Sequence, residues 1–198
     1  VLAKSSNVGV AKIALSLKPQ DMWSAFDQFG FGRVTGSGFP GESAGILTSS
    51  QHWRPIGQAT MSYGYGLSVT PLQLAQAYAT LGAHGIRRPV SLLRVDQAVA
   101  GERVLGEPVA RSLVGLLESV VSLEGTAPLA RIPGYRVSGK TGTAWKAQAG
   151  GYSKDRYVAT FGGVVPATSP RLAAVVVIDE PSAGKYYGGD VSAPVFAA

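Results

Sequence analysis

Helix-like and strand-like patterns occupy separate parts of this chain, and this separation limits the folds open to it. Apolar residues recur at helical spacing in the earlier part of the sequence, and three strand-like stretches follow at the C-terminal end, residues 135–146, 156–165 and 171–178. The short segment between the last two allows an antiparallel connection. With no internal repeat and no linker, the sequence predicts one α+β domain with helices packed on an antiparallel sheet.

Apolar spacing and end signals predict four helices. Ser5-Ser6-Asn7 supplies a polar N-cap for the first, and prolines stand in the first turns of the second and third. The third helix is apolar nearly all round, which predicts that it is buried. The predicted helices cover residues 8–17, 19–29, 71–81 and 107–123, and the apolar face of the last consists of Val109, Leu113, Leu116, Leu117 and Val120.

The remaining segments show weaker patterns. Residues 33–60 are rich in Gly, Pro and Ser, which predicts a long irregular connection with room for a short strand. A strand is predicted at residues 91–95. Residues 147–155 are polar and contain glycine, so we expect a mobile loop there.

Composition excludes several kinds of chemistry. The sequence has no cysteine, which rules out disulfides and thiolate sites, and its two histidines stand apart from carboxylates, so we expect no metal ion and no cofactor. The net charge is +6, but the basic residues are dispersed, so we expect no nucleic-acid partner. No stretch is long enough and apolar enough to span a bilayer. Catalysis would have to use Ser, Thr, Lys, Asn or carboxylates.

The strongest chemical motif is Lys140-Thr141-Gly142 on a predicted strand. Such a strand places a lysine and a hydroxyl at the edge of a cleft, where glycine lets substrate approach the backbone. Residues 134–141 also satisfy the nucleotide-binding pattern G-x-x-x-x-G-K-[ST]. That pattern must open a helix, whereas Thr143, Ala144 and Trp145 favour a strand, so we set the nucleotide hypothesis aside.

Ser5-Ser6-Asn7 and Lys140-Thr141-Gly142 stand in the order of the last two motifs of penicillin-binding proteins and class A β-lactamases, whose first motif is S-x-x-K. By itself Ser5-Ser6-Asn7 is more often a helix cap. Residues 62–75 closely resemble class B penicillin-binding proteins, particularly the division-specific transpeptidases. Similar stretches also occur at residues 125–127, 176–181 and 188–196, so the resemblance spans nearly the whole chain.

The resemblance implies the fold of the serine β-lactamases and penicillin-binding transpeptidases, and an acyl transfer. A serine would attack the penultimate D-alanine carbonyl of a peptidoglycan stem peptide ending in D-Ala-D-Ala. The acyl-enzyme would then pass its acyl group to an amine of a neighbouring strand. β-Lactam antibiotics would bind as mimics of that substrate.

The resemblance also implies the roles of individual residues. Ser5 would assist proton movement toward the leaving group, Asn7 would hold a side-chain amide of the substrate, and Lys140 would supply positive charge. The backbone N–H of Thr143 would form half of an oxyanion hole. Further substrate-binding or β-lactam-binding residues implied in this way are Ser6, Thr141, Gly142, Thr143, Trp145 and Tyr187.

The nucleophilic serine of S-x-x-K is expected upstream of Ser5. We therefore interpret residues 1–198 as a partial transpeptidase domain, truncated at both ends and inactive alone. Ser182-Ala183-Gly184-Lys185 matches S-x-x-K literally, but it stands in a Gly-rich turn after the other two motifs, so we reject it as the nucleophile. Lys4 and Lys12 are interpreted as solvated charges, and Tyr63 and Tyr65 as packing residues.

The resemblance implies a parent protein anchored in the inner membrane, with this domain in the periplasm at the septum and with divisome proteins as partners. Two alternatives stay open. One is a β-lactamase or β-lactam sensor, although no acidic motif stands ready to activate a deacylating water. The other is a non-catalytic binding module of the same fold, which an S-x-x-K upstream of Ser5 in the parent would argue against.

Overall fold

The computed structural model describes residues 1–97 and 99–198. Two short 3₁₀ turns, Ser50–His52 and Pro128–Ala130, accompany the helices and strands. The α-helices of the described part of the chain are α1 (Asn7–Leu15), α2 (Pro19–Gln28), α3 (Pro55–Met61), α4 (Pro71–Gly82), α5 (Glu107–Val121), α6 (Gly188–Val191) and α7 (Ala193–Ala197). The strands are β1 (Ile86–Arg87), β2 (Glu102–Arg103), β3 (Ser138–Gln148), β4 (Gly151–Val165) and β5 (Leu172–Asp179).

The three C-terminal strands form one antiparallel sheet in the order β3-β4-β5. This confirms the predicted α+β arrangement and the antiparallel connection between the last two strands. β3 is an edge strand of this sheet, and Lys140 on it lies opposite Gly162 of β4. The motif lysine therefore stands at the edge of the sheet, where other elements can reach it.

Neighbouring residues of β4 show how both faces of the sheet are covered. Side chains alternate between faces along a strand, so Phe161 and Gly162 face opposite ways. Phe161 is fully buried and its ring lies 4.9 Å from that of Phe196 in α7. At Gly162 the Tyr78 ring of α4 occupies the space that a side chain would fill. The predicted packing of helices on the sheet is confirmed, and the structure shows that it covers both faces.

Helix α4 begins as predicted but is buried through polar residues. Thr70 and Gln73 form a reciprocal capping box, and Pro71 is the first helical residue. The residues that α4 buries fully are Gln73, Gln76, Ala77 and Thr80. The prediction that α4 is buried is confirmed. Most of its buried side chains are polar rather than apolar, because the neighbouring loop presents backbone carbonyl groups to this helix.

Gln73 joins α4 to the loop between α2 and α3. Its side-chain amide donates to Arg33 O at 2.7 Å and Ala44 O at 2.8 Å, with a longer contact to Gly30 O at 3.4 Å. Its oxygen accepts from Thr70 N at 2.7 Å. One buried side chain thus satisfies backbone groups from three places in the loop, which holds it in a defined conformation without regular structure.

Gln73→Ala is expected to lower the free energy of unfolding by about 2–3 kcal/mol, because buried backbone groups lose their partners. Gln20→Ala, an exposed position in α2, should change it by less than about 0.5 kcal/mol. Urea unfolding of the purified protein followed by circular dichroism measures both. Equal effects of the two substitutions would contradict this account of the loop.

Helix α1 forms where predicted, but its apolar face is largely exposed. Ser6 caps it by accepting from Gly9 N at 3.1 Å. Val8 and Ile13 are exposed by 68% and 53%, and Ala14 is the one residue of α1 that is fully buried. The contact with α3 is partly polar, since the Gln58 amide donates to Ala14 O at 2.8 Å.

Helix α5 is confirmed, but its predicted face is rotated by about one residue. Val109 and Leu116 are exposed by 51% and 56%. The spacing was compatible with two overlapping faces, and the one that includes small Ala110 lies against the sheet. The buried residues are Ala110, Val114, Leu117, Val120 and Val121.

Three predictions for connecting segments are wrong in detail. Residues 33–60 contain most of α3, whose signal was Pro55 at the first helical position. The strand predicted at residues 91–95 is absent; Leu93 there is 81% exposed, and the local ribbon pairs β1 with β2 instead. Residues 147–155 are mostly strand, because β3 and β4 continue into a hairpin closed at Ala149 and Gly150.

Candidate active site

A cavity of about 910 Å³ opens between the start of α1, the edge strand β3 and helix α6. Its polar side comes from the two sequence motifs and its apolar side from residues such as Phe26, Phe31 and Met61. A mainly apolar cavity with a few convergent polar groups is the usual form of a small-molecule site. The site residues from the sequence that line it are Ser5, Ser6, Asn7, Lys140, Thr141, Gly142, Thr143 and Tyr187.

The two motifs meet through a direct side-chain contact. Lys140 Nζ donates to Ser5 Oγ at 2.7 Å and to the Thr141 carbonyl oxygen at 3.0 Å. Ser5 has a φ of 50°, in the left-handed region that is unfavourable for residues other than glycine. Strained backbone of this kind persists where surrounding structure holds it and is common at functional sites. A turn just before α1 therefore aims the Ser5 hydroxyl at Lys140.

Burial changes the pKa of Lys140. Desolvation lowers the pKa of its ammonium group to about 8, because burial disfavours the charged form. Its nitrogen remains within hydrogen-bond distance of two hydroxyl oxygens, Ser5 Oγ and Thr141 Oγ1, the latter at 3.3 Å. The group therefore releases its proton at a lower pH than an exposed lysine does.

The free edge of β3 presents backbone groups to the cavity. The Trp145 N–H donates to the Tyr65 hydroxyl at 3.0 Å, so it points away from β4. Backbone groups alternate in direction along an antiparallel edge strand, so the N–H of Thr143, two residues earlier, points the same way. The Thr141 carbonyl oxygen, which accepts from Lys140, fits this alternation. Thr143 thus offers a backbone donor at the cleft.

Thr126 lies at the cavity beside the two sequence motifs. Its Oγ1 lies 3.0 Å from Thr141 Oγ1, and it lines the cavity. Lys4, interpreted as a solvated charge, instead donates from Nζ to Glu124 O at 2.6 Å and so joins the Ser5 turn to the segment before Thr126. The similarity at residues 125–127 was the signal that marked this segment.

Helix α6 closes against β3 through glycine. The Gly188 N–H donates to Thr143 Oγ1 at 3.0 Å. A side chain at Gly188 would collide with the carbonyl oxygens of Thr160 and Gly142, and one at Gly189 with that of Thr126. These two positions need glycine for close approach, and they bring Tyr187 and Asp190 to the cavity.

Aromatic side chains flank the strand on both sides, though not as the sequence suggested. Tyr187 lines the cavity, and so do Tyr63 and Tyr65, which were interpreted as packing residues. The Trp145 side chain, a predicted binding group, is about half exposed and does not line the cavity. Sequence spacing alone did not show that the turn after α3 folds over the end of β3.

The structure supports the rejection of both the Ser182 and the nucleotide-binding hypotheses. Ser182 lies in an exposed irregular segment with a bend at Gly184, not at a helix N-terminus. Lys140 lies on a strand, and no helix follows residues 134–141. Among the described residues no group of three or more His, Cys, Asp or Glu side chains is placed to bind a metal ion, and no described helix could span a bilayer.

Comparisons with known proteins also indicate a penicillin-binding transpeptidase domain. The family model of the penicillin-binding protein transpeptidase domain matches residues 1–198. The chain is 50% identical over 198 residues to peptidoglycan D,D-transpeptidase FtsI of Escherichia coli K12, covering 100% of this chain and 34% of that protein. It is 43% identical over 196 residues to the probable peptidoglycan D,D-transpeptidase PenA of Neisseria gonorrhoeae, covering 99% and 34%. It therefore spans about a third of the length of these curated relatives.

A solved structure matches the fold almost throughout the chain. The transpeptidase domain of penicillin-binding protein 3 from Burkholderia pseudomallei superposes with a TM-score of 0.93 at 47% identity, covering 98% of this chain and 60% of that one. The family match over every residue and this superposition agree. The chain belongs to the family of penicillin-binding protein transpeptidase domains.

Proposed function

We propose that this chain forms the motif-bearing part of a peptidoglycan D,D-transpeptidase, which cross-links stem peptides ending in D-Ala-D-Ala and is acylated by β-lactams. Relatives that carry this activity in their names, at 50% and 43% identity, support the assignment. We further propose that the parent protein is anchored in the inner membrane, places this domain in the periplasm and acts with divisome proteins at the septum.

The observation that carries this proposal is the contact between Lys140 Nζ and Ser5 Oγ at 2.7 Å. It joins residues 135 positions apart, and Asn7 lines the same cavity. A helix cap at Ser5-Ser6-Asn7 would need no lysine from a distant strand. The pairing therefore favours a common chemical task over a structural one.

The family resemblance implies the reaction and the role of each group. A serine at an S-x-x-K upstream of Ser5 attacks the substrate carbonyl while the lysine of that motif takes its proton, and the Thr143 N–H stabilises the oxyanion that forms, an interaction of about 3 kcal/mol in such sites. Ser5 relays a proton to the departing D-alanine, and Asn7 holds a substrate amide. Lys140, Thr141 and Thr143 bind the substrate carboxylate, and Ser6, Gly142 and Tyr187 complete the cavity wall.

The test is labelling with fluorescent penicillin followed by intact mass. The protein to use is the complete transpeptidase domain that contains residues 1–198 and the upstream S-x-x-K. A stable adduct of one penicillin per chain supports the transpeptidase. Rapid loss of the adduct would favour the β-lactamase alternative, and no labelling would favour the non-catalytic binding module.

The acylation rate is expected to fall as pH rises through about 8. Burial lowers the pKa of Lys140 to about 8, so above that pH the group loses the positive charge that binds the substrate carboxylate. Stopped-flow acylation by penicillin from neutral pH to about pH 10 measures the profile.

Lys140→Arg is the matched control for this profile. Its guanidinium stays charged over the whole range, so its rate, although lower, should not decline near pH 8. A rate that instead rises through pH 8 in the unsubstituted domain would mean that Lys140 acts as a base, and would contradict its role as a cation.

A further inference from the structure

Asp190 gives the cavity a charge that the proposed function does not use. Among the described lining residues it is the one acidic side chain, and Lys140 is the one basic side chain. Asp190 is exposed, and its carboxylate makes no hydrogen bond or ion pair with the described residues. An anion therefore stands unpartnered in the same cleft as the motif lysine.

The position of Asp190 is fixed by its neighbours. Gly188 and Gly189 pack directly on backbone oxygens of Thr160, Gly142 and Thr126, and Asp190 N donates to Tyr187 O at 2.8 Å. The backbone that carries the carboxylate can move little without displacing α6 from β3. The Cα of Asp190 is therefore held at one place on the cleft wall.

The reaction brings together two groups of opposite charge. The donor peptide ends in a carboxylate, which the net charge of +6 and Lys140 attract. The acceptor brings an amine that is protonated at neutral pH, and the same charges repel it. A carboxylate in the cleft offsets this repulsion at one point.

We propose that Asp190 is a specificity-determining residue for the second substrate, binding the protonated amine of the acceptor as it enters the cleft. This inference rests on the proposed function. The amine then gives one proton to water and attacks the acyl-enzyme carbonyl: a C–N bond forms, the ester C–O bond to the serine breaks, and the serine oxygen takes a second proton from the attacking nitrogen. Asp190 acts on the binding of the acceptor, before these bonds change.

The test compares a charged and an uncharged acceptor in the complete transpeptidase domain. With a thioester donor ending in D-alanine, aminolysis is measured against the concentration of D-alaninamide, which is a cation, and of hydroxylamine, which is neutral at neutral pH. Asp190→Asn should raise the KM for D-alaninamide about fivefold, the upper range for an exposed ion pair, and change that for hydroxylamine less than about twofold.

Three further variants separate recognition from other effects. Asp190→Glu should keep the preference for the cation, and Asp190→Lys should lower it below that of Asp190→Asn. Asp21→Asn removes the same charge from an exposed position on α2 outside the cavity, and should leave the ratio of the two KM values unchanged. This control separates local binding from net charge.

The outcomes distinguish this inference from the proposed function. A domain that is labelled by penicillin and shows equal KM changes for both acceptors, or none, in Asp190→Asn would overturn the role of Asp190 alone. A domain that neither binds penicillin nor transfers the acyl group would overturn both. A selective rise in KM for the cation, with Asp190→Glu restoring it, would establish the inference.

Discussion

Lys140→Ala is expected to lower the rate of penicillin acylation of the complete transpeptidase domain by about 10²–10³-fold, as for loss of one preorganised polar group from an active site. The substitution removes the cation of the cleft and leaves Ser5 Oγ and Thr141 Oγ1 without their donor. The rate of fluorescent labelling, with intact mass as the endpoint, measures the effect.

Lys146→Ala is the matched control, because it removes a lysine from the same strand. Lys146 forms surface ion pairs with Asp179 and Glu180, each at 2.7 Å, and does not line the cavity. Exposed pairs of this kind contribute about 0–1 kcal/mol to stability, so labelling should stay close to that of the unsubstituted domain. If Lys140→Ala is labelled at the rate of this control, the central role of Lys140 is wrong.

Phe161→Ala is expected to destabilise the domain by about 3–5 kcal/mol, the usual cost of deleting a buried phenylalanine ring. The ring is fully buried, contacts Phe196 and fills the space beside Gly139 that a side chain would otherwise take. Because Phe161 lies opposite Thr141 in the sheet, we expect the loss to weaken penicillin labelling as well.

Phe39→Ala provides the comparison, since Phe39 is 64% exposed in the loop before α3. This substitution should lower the free energy of unfolding by less than about 0.5 kcal/mol. Urea unfolding midpoints of both variants, measured in the complete domain, give the difference. A loss below about 1 kcal/mol for Phe161→Ala would show that the core relaxes around the deleted ring.

Much of the fold was predictable because its local signals agree with its tertiary packing. The cap at Ser6, the capping box of Thr70 and Gln73, and the short connection before β5 each determine structure over a few residues. The wrong predictions concern positions whose burial depends on residues far away in the sequence. Gln73 is buried because loop carbonyls reach it, and no periodicity in α4 itself contains that information.

Some residues of the candidate site could be predicted from the sequence and others could not. Motif order and family resemblance marked Ser5, Lys140 and Thr143, and the structure brings all three to one cavity. Thr126 and Asp190 were not singled out, since their importance depends on how closely the segments before β3 and around α6 approach that strand. The binding role of Trp145 stays a prediction, since its side chain is about half exposed and lies outside the lining of the cavity.

The span between Ser5 and Lys140 also sets an order of events during biosynthesis. Synthesis proceeds at about 5–20 residues per second, so the 135 residues between them take about 7–27 s to appear. Throughout that interval the turn that carries Ser5 exists without the lysine that it contacts in the finished domain. The site is therefore completed late, and a nascent chain that stalls before β3 carries Ser5 without its partner lysine.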